Sequence, residues 1–329
     1  MPEQRCRDDK ERRFTRRFLF LQTLLCLALA VASLTALSEP AGTCSTAAFA
    51  VQVLGSGGPE INDRRSSSSY LIWIDGRARL LVDMGGGALL RFEQSRADIA
   101  DLQAIAFTHL HIDHSADFPS LIKASFFSAR DTDLPVFGPD GNELLPDMAT
   151  WLERMFGSNG GWPYMSDYLP NRLENAYKLQ ATVVSTDNHR PQRIFANKLF
   201  SLSAVAVHHG PVRALAWRID HDNHSVSISG DMNGDFHSLS SLARDTDLLI
   251  VHNAIPETAT GVARNLHMPP SVIGEIAWHS RTKKLVLSHL MLRTLGDKNM
   301  KATFKQIRNS YSGPTVFAND LDCFVVQRD

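Results

Sequence analysis

Three histidines and one aspartate fall within six residues, directly after the apolar run 104–107. Imidazole nitrogens and carboxylate oxygens are the ligands that suit zinc and similar divalent ions. A loop at a strand end can aim alternate residues at one point, so we expect His109 and His111 to share one direction. Asp113 and His114 then turn toward a neighbouring point. The spacing predicts two adjacent metal ions, and a polar loop that happens to be rich in histidine is the simpler alternative.

Further candidate ligands stand at the ends of later apolar runs. They are His209, Asp231 and His289. With the first cluster they make seven ligands, enough for two metal ions if one carboxylate bridges them. Two divalent ions about 3.5–4 Å apart lower the pKa of a shared water and stabilise attacking and leaving oxygens. The chemistry indicated is therefore hydrolysis.

The elements that must position these residues alternate between strand and helix. Apolar patterning and turn residues predict strands over 50–54, 70–74, 80–83, 104–108, 134–137, 203–207, 214–219, 225–229, 248–251, 285–287 and 315–317. Helical spacing predicts helices over 116–127, 143–156, 269–281 and 296–311. Strands and helices in two successive rounds predict a layered α/β protein.

Several motifs resemble those of metallo-β-lactamase-fold hydrolases, and within them those of the ribonuclease Z and zinc-phosphodiesterase branch. The carrying segments are 54–59 (LGSGGP), 81–86 (LVDMGG), 108–114 (THLHIDH), His209 ahead of 214–219 (ALAWRI), 229–231 (SGD) and 287–290 (LSHL). The resemblance implies a four-layer αββα sandwich with its site at one edge of the sheets. It also implies a catalytic domain over 49–329, in which we predict that an insertion at 138–190 covers the site.

The resemblance assigns each candidate ligand by residue matching. One zinc ion would take His109, His111 and His209, the other Asp113, His114 and His289, with Asp231 as the bridge. His208 competes with His209, which is favoured because it precedes Gly210. Asp83 would brace the histidine loop from behind. Manganese and iron are alternatives to zinc.

The resemblance also implies a mechanism. A metal-bound hydroxide would be the nucleophile and His267 the general acid, with Asp113 and His252 as further catalytic candidates. In ribonuclease Z the histidine that matches His252 is followed by a glutamate, whereas Asn253 follows it in this chain. Glu257 is a weak substitute, and a buried structural histidine is the alternative for His252. Five other histidines are expected at the surface: His189, His221, His224, His237 and His279.

The N-terminus predicts export. A basic stretch runs into the apolar segment 18–32, which is typical of a secretory signal over 1–38, and Arg16 and Arg17 resemble a twin-arginine signal. A linker would follow over 39–48. The prediction is a periplasmic or secreted protein with no stable membrane association after cleavage. An uncleaved membrane anchor is the alternative.

Cysteine usage depends on the compartment. Cleavage would remove Cys6 and Cys26, leaving Cys44 and Cys323. In an oxidising compartment these two either form a disulfide that ties the chain ends together or remain thiols.

The predicted function is an exported dinuclear-zinc hydrolase of a small-molecule or nucleotide phosphodiester. The chain outside residues 1–38 is mildly acidic, which argues against general nucleic-acid binding. The lack of a cysteine near Asp231 argues against β-lactam hydrolysis as the main activity. Hydrolysis of another ester (a lactone, thioester, sulfate ester or β-lactam) and a non-catalytic metal-binding role are the alternatives. A homodimer is left open.

Overall fold

The computed structural model describes residues 44–171 and 177–326, so the predicted signal segment lies outside the described residues. Two seven-stranded sheets organise this part of the chain. The first contains β1 (Phe49–Gly55), β2 (Ser69–Ile74), β3 (Arg77–Val82), β4 (Ala104–Ala106), β5 (Leu134–Pro139), β6 (Leu179–Val184) and β14 (Cys323–Val325). The second contains β7 (Gln192–Ala196), β8 (Ser201–His209), β9 (Val212–His221), β10 (His224–Ile228), β11 (Leu248–His252), β12 (Lys284–Ser288) and β13 (Thr315–Phe317).

The strand order brings the predicted site residues to one edge. The first sheet has the order β14-β1-β2-β3-β4-β5-β6, in which β3 to β6 are parallel. The second has the order β13-β12-β11-β10-β9-β8-β7, in which β10 to β13 are parallel. Ligands of such sheets bind beyond the carboxyl ends of parallel strands. The histidine loop follows β4 there, and Asp231 and His289 follow β10 and β12.

The described chain has eight α-helices, six of which pack on the outer faces of the two sheets. They are α1 (Ala88–Gln94), α2 (Ile112–Ser115), α3 (Phe118–Ser125), α4 (Met148–Phe156), α5 (Ser238–Leu242), α6 (Gly261–Leu266), α7 (Pro270–His279) and α8 (Asp297–Ile307), counted within the described ranges. Short 3₁₀ turns occupy Cys44–Thr46, Ile99–Asp101 and Pro163–Tyr168.

Three separate apolar layers hold the elements together. One lies between the sheets and includes Tyr70 and Trp217. A second packs α1, α3 and α4 onto the first sheet, and a third packs α5, α7 and α8 onto the second. Three apolar layers between four layers of structure confirm the predicted αββα sandwich.

The stretch 138–190 contains more regular structure than its sequence indicates. It includes α4 and also β6, which is an edge strand of the first sheet. Trp151 of α4 packs on Phe107 and Phe118, so it contributes to the core. By contrast, Tyr164 is exposed. That the stretch covers the site stays a prediction.

Cys44 and Cys323 form a disulfide, with 5.6 Å between their Cα atoms. Cys323 begins β14, which pairs with β1. The bridge therefore joins the start of the described chain to its last strand. No helix between residues 44 and 326, outside the gap at 172–176, is long and apolar enough to cross a membrane.

Candidate active site

The histidine loop is fixed from below by one buried carboxylate. Asp83, at the end of β3, accepts hydrogen bonds from the Thr108 backbone N–H at 2.7 Å and from its hydroxyl at 2.8 Å. Its Oδ2 also lies 2.8 Å from Nδ1 of His114. Because Nδ1 faces Asp83, Nε2 of His114 is turned toward the centre of the site. Asp83 thus braces this loop, as expected from the sequence.

The remaining predicted ligands converge on Asp231. His209 ends β8, and its Nε2 lies 3.7 Å from Oδ2 of Asp231. His114 lies at 3.7 Å from the same oxygen, and His289 lies 3.4 Å from Oδ1. All four side chains are almost completely buried.

Two groups of side chains could each hold a metal ion, and Asp231 belongs to both. The first consists of His109, His111, His209 and Asp231, and the second of His114, Asp231, His252 and His289. A single carboxylate common to both groups has the placement that a bridging ligand requires.

The second group raises a choice between Asp113 and His252. Two ligands of one tetrahedral zinc ion at ordinary bond lengths lie about 3.4 Å apart. Asp113 Oδ2 fits that separation, since it lies 3.2 Å from Nε2 of His289 and 3.6 Å from Nε2 of His114. His252 does not fit beside Asp231, because its Nδ1 lies only 2.7 Å from Oδ1 of that carboxylate. That separation is a hydrogen bond, so geometry favours Asp113 as the ligand.

Nitrogens without partners support a cation at this place. Nε2 of His109 and Nε2 of His114 are buried and have no hydrogen-bond partner among the described residues, an arrangement that is costly unless an ion satisfies them. Nδ1 of His209 lies 2.8 Å from the Leu266 carbonyl oxygen and donates to it. The lone pair of the ring is therefore on Nε2, where it can bind a metal ion. The residues present therefore fit a divalent metal ion.

Electrostatics agree with this fit. Burial lowers the pKa of His109, His111 and His209, so these imidazoles are neutral near pH 7 and present lone pairs. Burial alone would raise the pKa of the Asp231 carboxyl, but the surrounding histidines hold it well below its usual value. Burial alone would lower the pKa of the His289 imidazole, but the carboxylates of Asp231 and Asp113 raise it above its usual value. The buried carboxylates stabilise positive charge at the centre of the site.

His252 lies behind Asp231 and is 1% exposed. Its Nε2 lies 2.9 Å from the Tyr70 hydroxyl, which lies 2.9 Å from Oγ of Ser288. Burial lowers the pKa of His252 to about 3, so the ring is neutral near pH 7. Sequence reasoning missed Tyr70 and Ser288, because a tyrosine and a serine in apolar strands have the pattern of core residues.

His267 lies at the edge of the site. Its Nδ1 is 3.8 Å from Oδ2 of Asp231 and has no hydrogen-bond partner in the part of the chain that the structure describes. Burial lowers the pKa of His267 to about 4. Glu257 does not orient this ring, because its carboxylate accepts hydrogen bonds from the backbone and hydroxyl of Ser271 at the start of α7. The side-chain amide of Asn253 is buried and makes no hydrogen bond to any residue in the ranges 44–171 and 177–326.

The other histidines lie outside the two groups. His208 belongs to neither ligand group, and its ring packs on Phe236 in a T-shaped arrangement. The prediction that His221 is a surface residue is wrong, because it is buried with Nδ1 2.7 Å from the Leu199 carbonyl oxygen. Its ring also packs on Phe49. His189, His237 and His279 are exposed, and His224 is half-buried.

A cleft of about 390 Å³ adjoins the site and is lined by His209, His208, Arg213, Thr186 and Phe236, among others. His209 is common to the cleft and to the first ligand group. A bound substrate could therefore extend from the metal ligands into this cleft.

Comparisons with known proteins bear on the family. Residues 78–290 match the model of the beta-lactamase superfamily domain. Ribonuclease Z of Methanosarcina mazei is 22% identical over 276 residues, which cover 74% of this chain and 88% of that relative. Ribonuclease Z of Pseudomonas putida is 25% identical over 313 residues, which cover 83% and 95%.

Solved structures share the fold. The metallo-beta-lactamase fold protein YhfI from Bacillus subtilis superposes with a TM-score of 0.64 at 22% identity, over 84% of this chain and 98% of that one. The short form of human tRNase Z also has a TM-score of 0.64, at 20% identity over 85% and 100%. The resemblance seen in the motifs is thereby confirmed. The chain belongs to the beta-lactamase superfamily and is a metallo-β-lactamase-fold hydrolase with ribonuclease Z among its relatives.

Proposed function

We propose that this protein is a phosphodiesterase with two divalent metal ions, zinc being the first candidate. The observation that carries the proposal is the position of Asp231, which belongs to both ligand groups. Two ions held there would supply an activated water and stabilise charge on attacking and leaving oxygens. The ribonuclease Z relatives support a phosphodiester substrate in particular.

The residues of this chain have distinct roles in that reaction. Asp113 and Asp231 supply the negative charge that holds the ions, and His267 lies where it can face a leaving oxygen. A diester anion against His267 raises the pKa of its ring, because a nearby negative charge favours the imidazolium. The cleft beside His209 then takes one ester substituent.

The direct test is hydrolysis of bis-p-nitrophenyl phosphate by zinc-loaded protein. We expect turnover that is lost in Asp231→Asn and retained in Asp131→Asn, a control at an exposed aspartate. A panel with p-nitrophenyl acetate, p-nitrophenyl sulfate, a lactone, a thioester and a β-lactam separates the other ester hydrolases. No diester turnover, or a higher kcat/KM for another ester, contradicts the proposal.

The role of His267 is tested by the leaving group. General-acid catalysis contributes about 10²–10⁴-fold where the leaving oxygen needs a proton. We expect His267→Ala to lower kcat/KM for an alkyl ester of thymidine 5′-phosphate far more than for the p-nitrophenyl ester, whose leaving group is stable as an anion. Equal losses on both esters would show that His267 is not the acid.

We further propose that the protein works in an oxidising compartment after export. The Cys44–Cys323 disulfide supports this, because such bonds persist mainly outside the cytosol. The test expresses the full-length protein in a bacterial host and measures its amount inside and outside the cytosol. Protein outside the cytosol that is lost when Arg16 and Arg17 are both replaced by lysine supports a twin-arginine signal. Protein found only in the cytosol contradicts export.

A further inference from the structure

Tyr70 connects the two sheets directly behind the site. It lies in β2 of the first sheet and is 0% exposed, in the apolar layer between the sheets. Its hydroxyl meets His252 of β11 and Ser288 of β12, both in the second sheet, at 2.9 Å each. A hydroxyl in this layer must find partners, and both partners come from strands that end at the site.

Hydrogen-bond chemistry sets the direction of this network. The Asp231 carboxylate can only accept, so Nδ1 of His252, at 2.7 Å, must carry the hydrogen. In a neutral ring Nε2 is then an acceptor, and among the described residues the group placed to donate to it is the Tyr70 hydroxyl. The same hydroxyl is also placed to donate to Oγ of Ser288, but its single hydrogen serves only one partner, and Nε2 of His252, which has no hydrogen of its own, needs it. Burial raises the pKa of Tyr70, which keeps its hydroxyl hydrogen in place.

The network reaches one oxygen of the shared carboxylate. Oδ1 of Asp231 accepts from His252, while Oδ2 lies 3.7 Å from both His114 and His209, one from each ligand group. A carboxylate whose Oδ1 is held cannot rotate without breaking that bond. The orientation of Oδ2 between the two groups thus depends on the His252 tautomer, which depends on the Tyr70 hydroxyl.

We propose that Tyr70 is a positioning residue of the metal centre, which acts through His252 to hold Asp231 in its bridging orientation. His252 is then a second positioning residue, since both of its ring nitrogens are engaged and neither faces substrate. This inference rests on the proposed metal centre and adds to it a residue outside the ligand set.

The test compares Tyr70→Phe with Tyr177→Phe. Tyr177 is a matched control, because it is also buried and its hydroxyl lies 2.7 Å from Oγ of Ser125. It lies in the apolar layer between the first sheet and its helices, away from the site. We expect Tyr70→Phe to weaken binding of the more loosely held zinc ion by about 10–100-fold in competition with a chromophoric chelator. It should also change the visible spectrum of the cobalt-substituted protein and lower kcat for bis-p-nitrophenyl phosphate with little change in KM. Tyr177→Phe should change none of these.

Unchanged zinc affinity and an unchanged cobalt spectrum in Tyr70→Phe would overturn the proposal and leave Tyr70 as a core residue. If Tyr70→Phe does not fold, the proposal can still be tested on the wild-type protein. Nitrogen-15 NMR of its histidines should show His252 with its hydrogen on Nδ1, and a hydrogen on Nε2 would overturn the proposal. Absence of diester turnover by the wild type would count against the proposed function alone, because zinc affinity and the cobalt spectrum test Tyr70 without it.

Discussion

Asp83 is the residue on which the shape of the histidine loop most depends. It is fully buried and accepts hydrogen bonds from the backbone and hydroxyl of Thr108 and from His114. Carboxylates in this position orient a metal-binding imidazole and increase its basicity. The loop therefore owes its geometry to a residue that belongs to neither candidate ligand group.

Replacement of this carboxylate should have a measurable cost. An amide in Asp83→Asn has one accepting oxygen and directs its NH₂ group at a donor, so we expect zinc affinity to fall about 10–100-fold. We also expect the free energy of unfolding in urea to fall by about 1.5–3 kcal/mol, the usual contribution of a hydrogen bond to a charged group. Asp101→Asn, which breaks a surface pair with Arg77, should change neither by much. Wild-type zinc affinity in Asp83→Asn would refute this role.

At the scale of single residues, the sequence predicts the candidate metal ligands better than the residues that hold these ligands in place. His109, His111, Asp113 and His114 are recognisable because their types and spacing are local, and the group follows one apolar run. Tyr70 and His252 are separated by 182 positions, and nothing local connects them. Only the packing of β2 against β11 makes them partners.

Helix α4 shows how an element distant in sequence supports the site. Its Trp151 packs on Phe107, the residue two positions before His109, and on Phe118 of α3. The helix begins after Asp147, whose Oδ1 accepts from the Thr150 N–H at 2.9 Å. The sequence predicts that this helix begins at residue 143. In the structure Asp147 is the N-cap, so the helix begins at Met148. This cap stabilises one wall of the core beneath the histidine loop.

Loss of the cap should be mild and dependent on pH. We expect Asp147→Ala to lower the free energy of unfolding by about 1 kcal/mol at pH 7, and Asp147→Asn by less because its amide oxygen still accepts. The hydrogen bond from the Thr150 backbone N–H lowers the pKa of the Asp147 carboxyl. The ionised carboxylate therefore stabilises the fold at pH values above its unfolded pKa, and this stabilisation disappears as the pH falls through the lower folded pKa. Urea unfolding should show the difference between wild type and Asp147→Asn shrinking from pH 7 toward pH 3, and a constant difference would contradict the cap.

Strand prediction succeeded for the buried strands and for the edge strand β13, and failed for the edge strands β6 and β7. All residues of β1 and β2 are buried, so their apolar runs are clear in the sequence. β6 and β7 are edge strands with partly exposed residues, and their composition gave no strand pattern. Helix α6 buries none of its residues, so it also lacked a periodic signal.

For the described molecule as a whole, the disulfide ties the edge strand β14 of the first sheet to the turn that precedes β1. Cys44 and Cys323 are 279 positions apart, and the bond holds β14 beside β1. A bond across so long a loop restricts the unfolded chain strongly. Pairing of these two residues was one of two open alternatives in the sequence, because their contact depends on the folded sheet.

Removal of this bond should cost stability and leave the site intact. We expect Cys44→Ser combined with Cys323→Ser to lower the free energy of unfolding by about 2–5 kcal/mol. Guanidinium unfolding of wild type with reductant should match the double variant, which itself should not respond to reductant. Equal stability of oxidised and fully reduced wild type would contradict this expectation.

The central claim is that two metal ions share Asp231. A crystal structure of zinc-loaded protein with anomalous data at the zinc edge tests it most directly. We predict two anomalous peaks about 3.5–4 Å apart, as in other two-metal sites, with Asp231 between them. One peak should lie beside His109, His111 and His209 and the other beside Asp113, His114 and His289. A single peak, or a second peak that does not contact Asp231, would contradict the account.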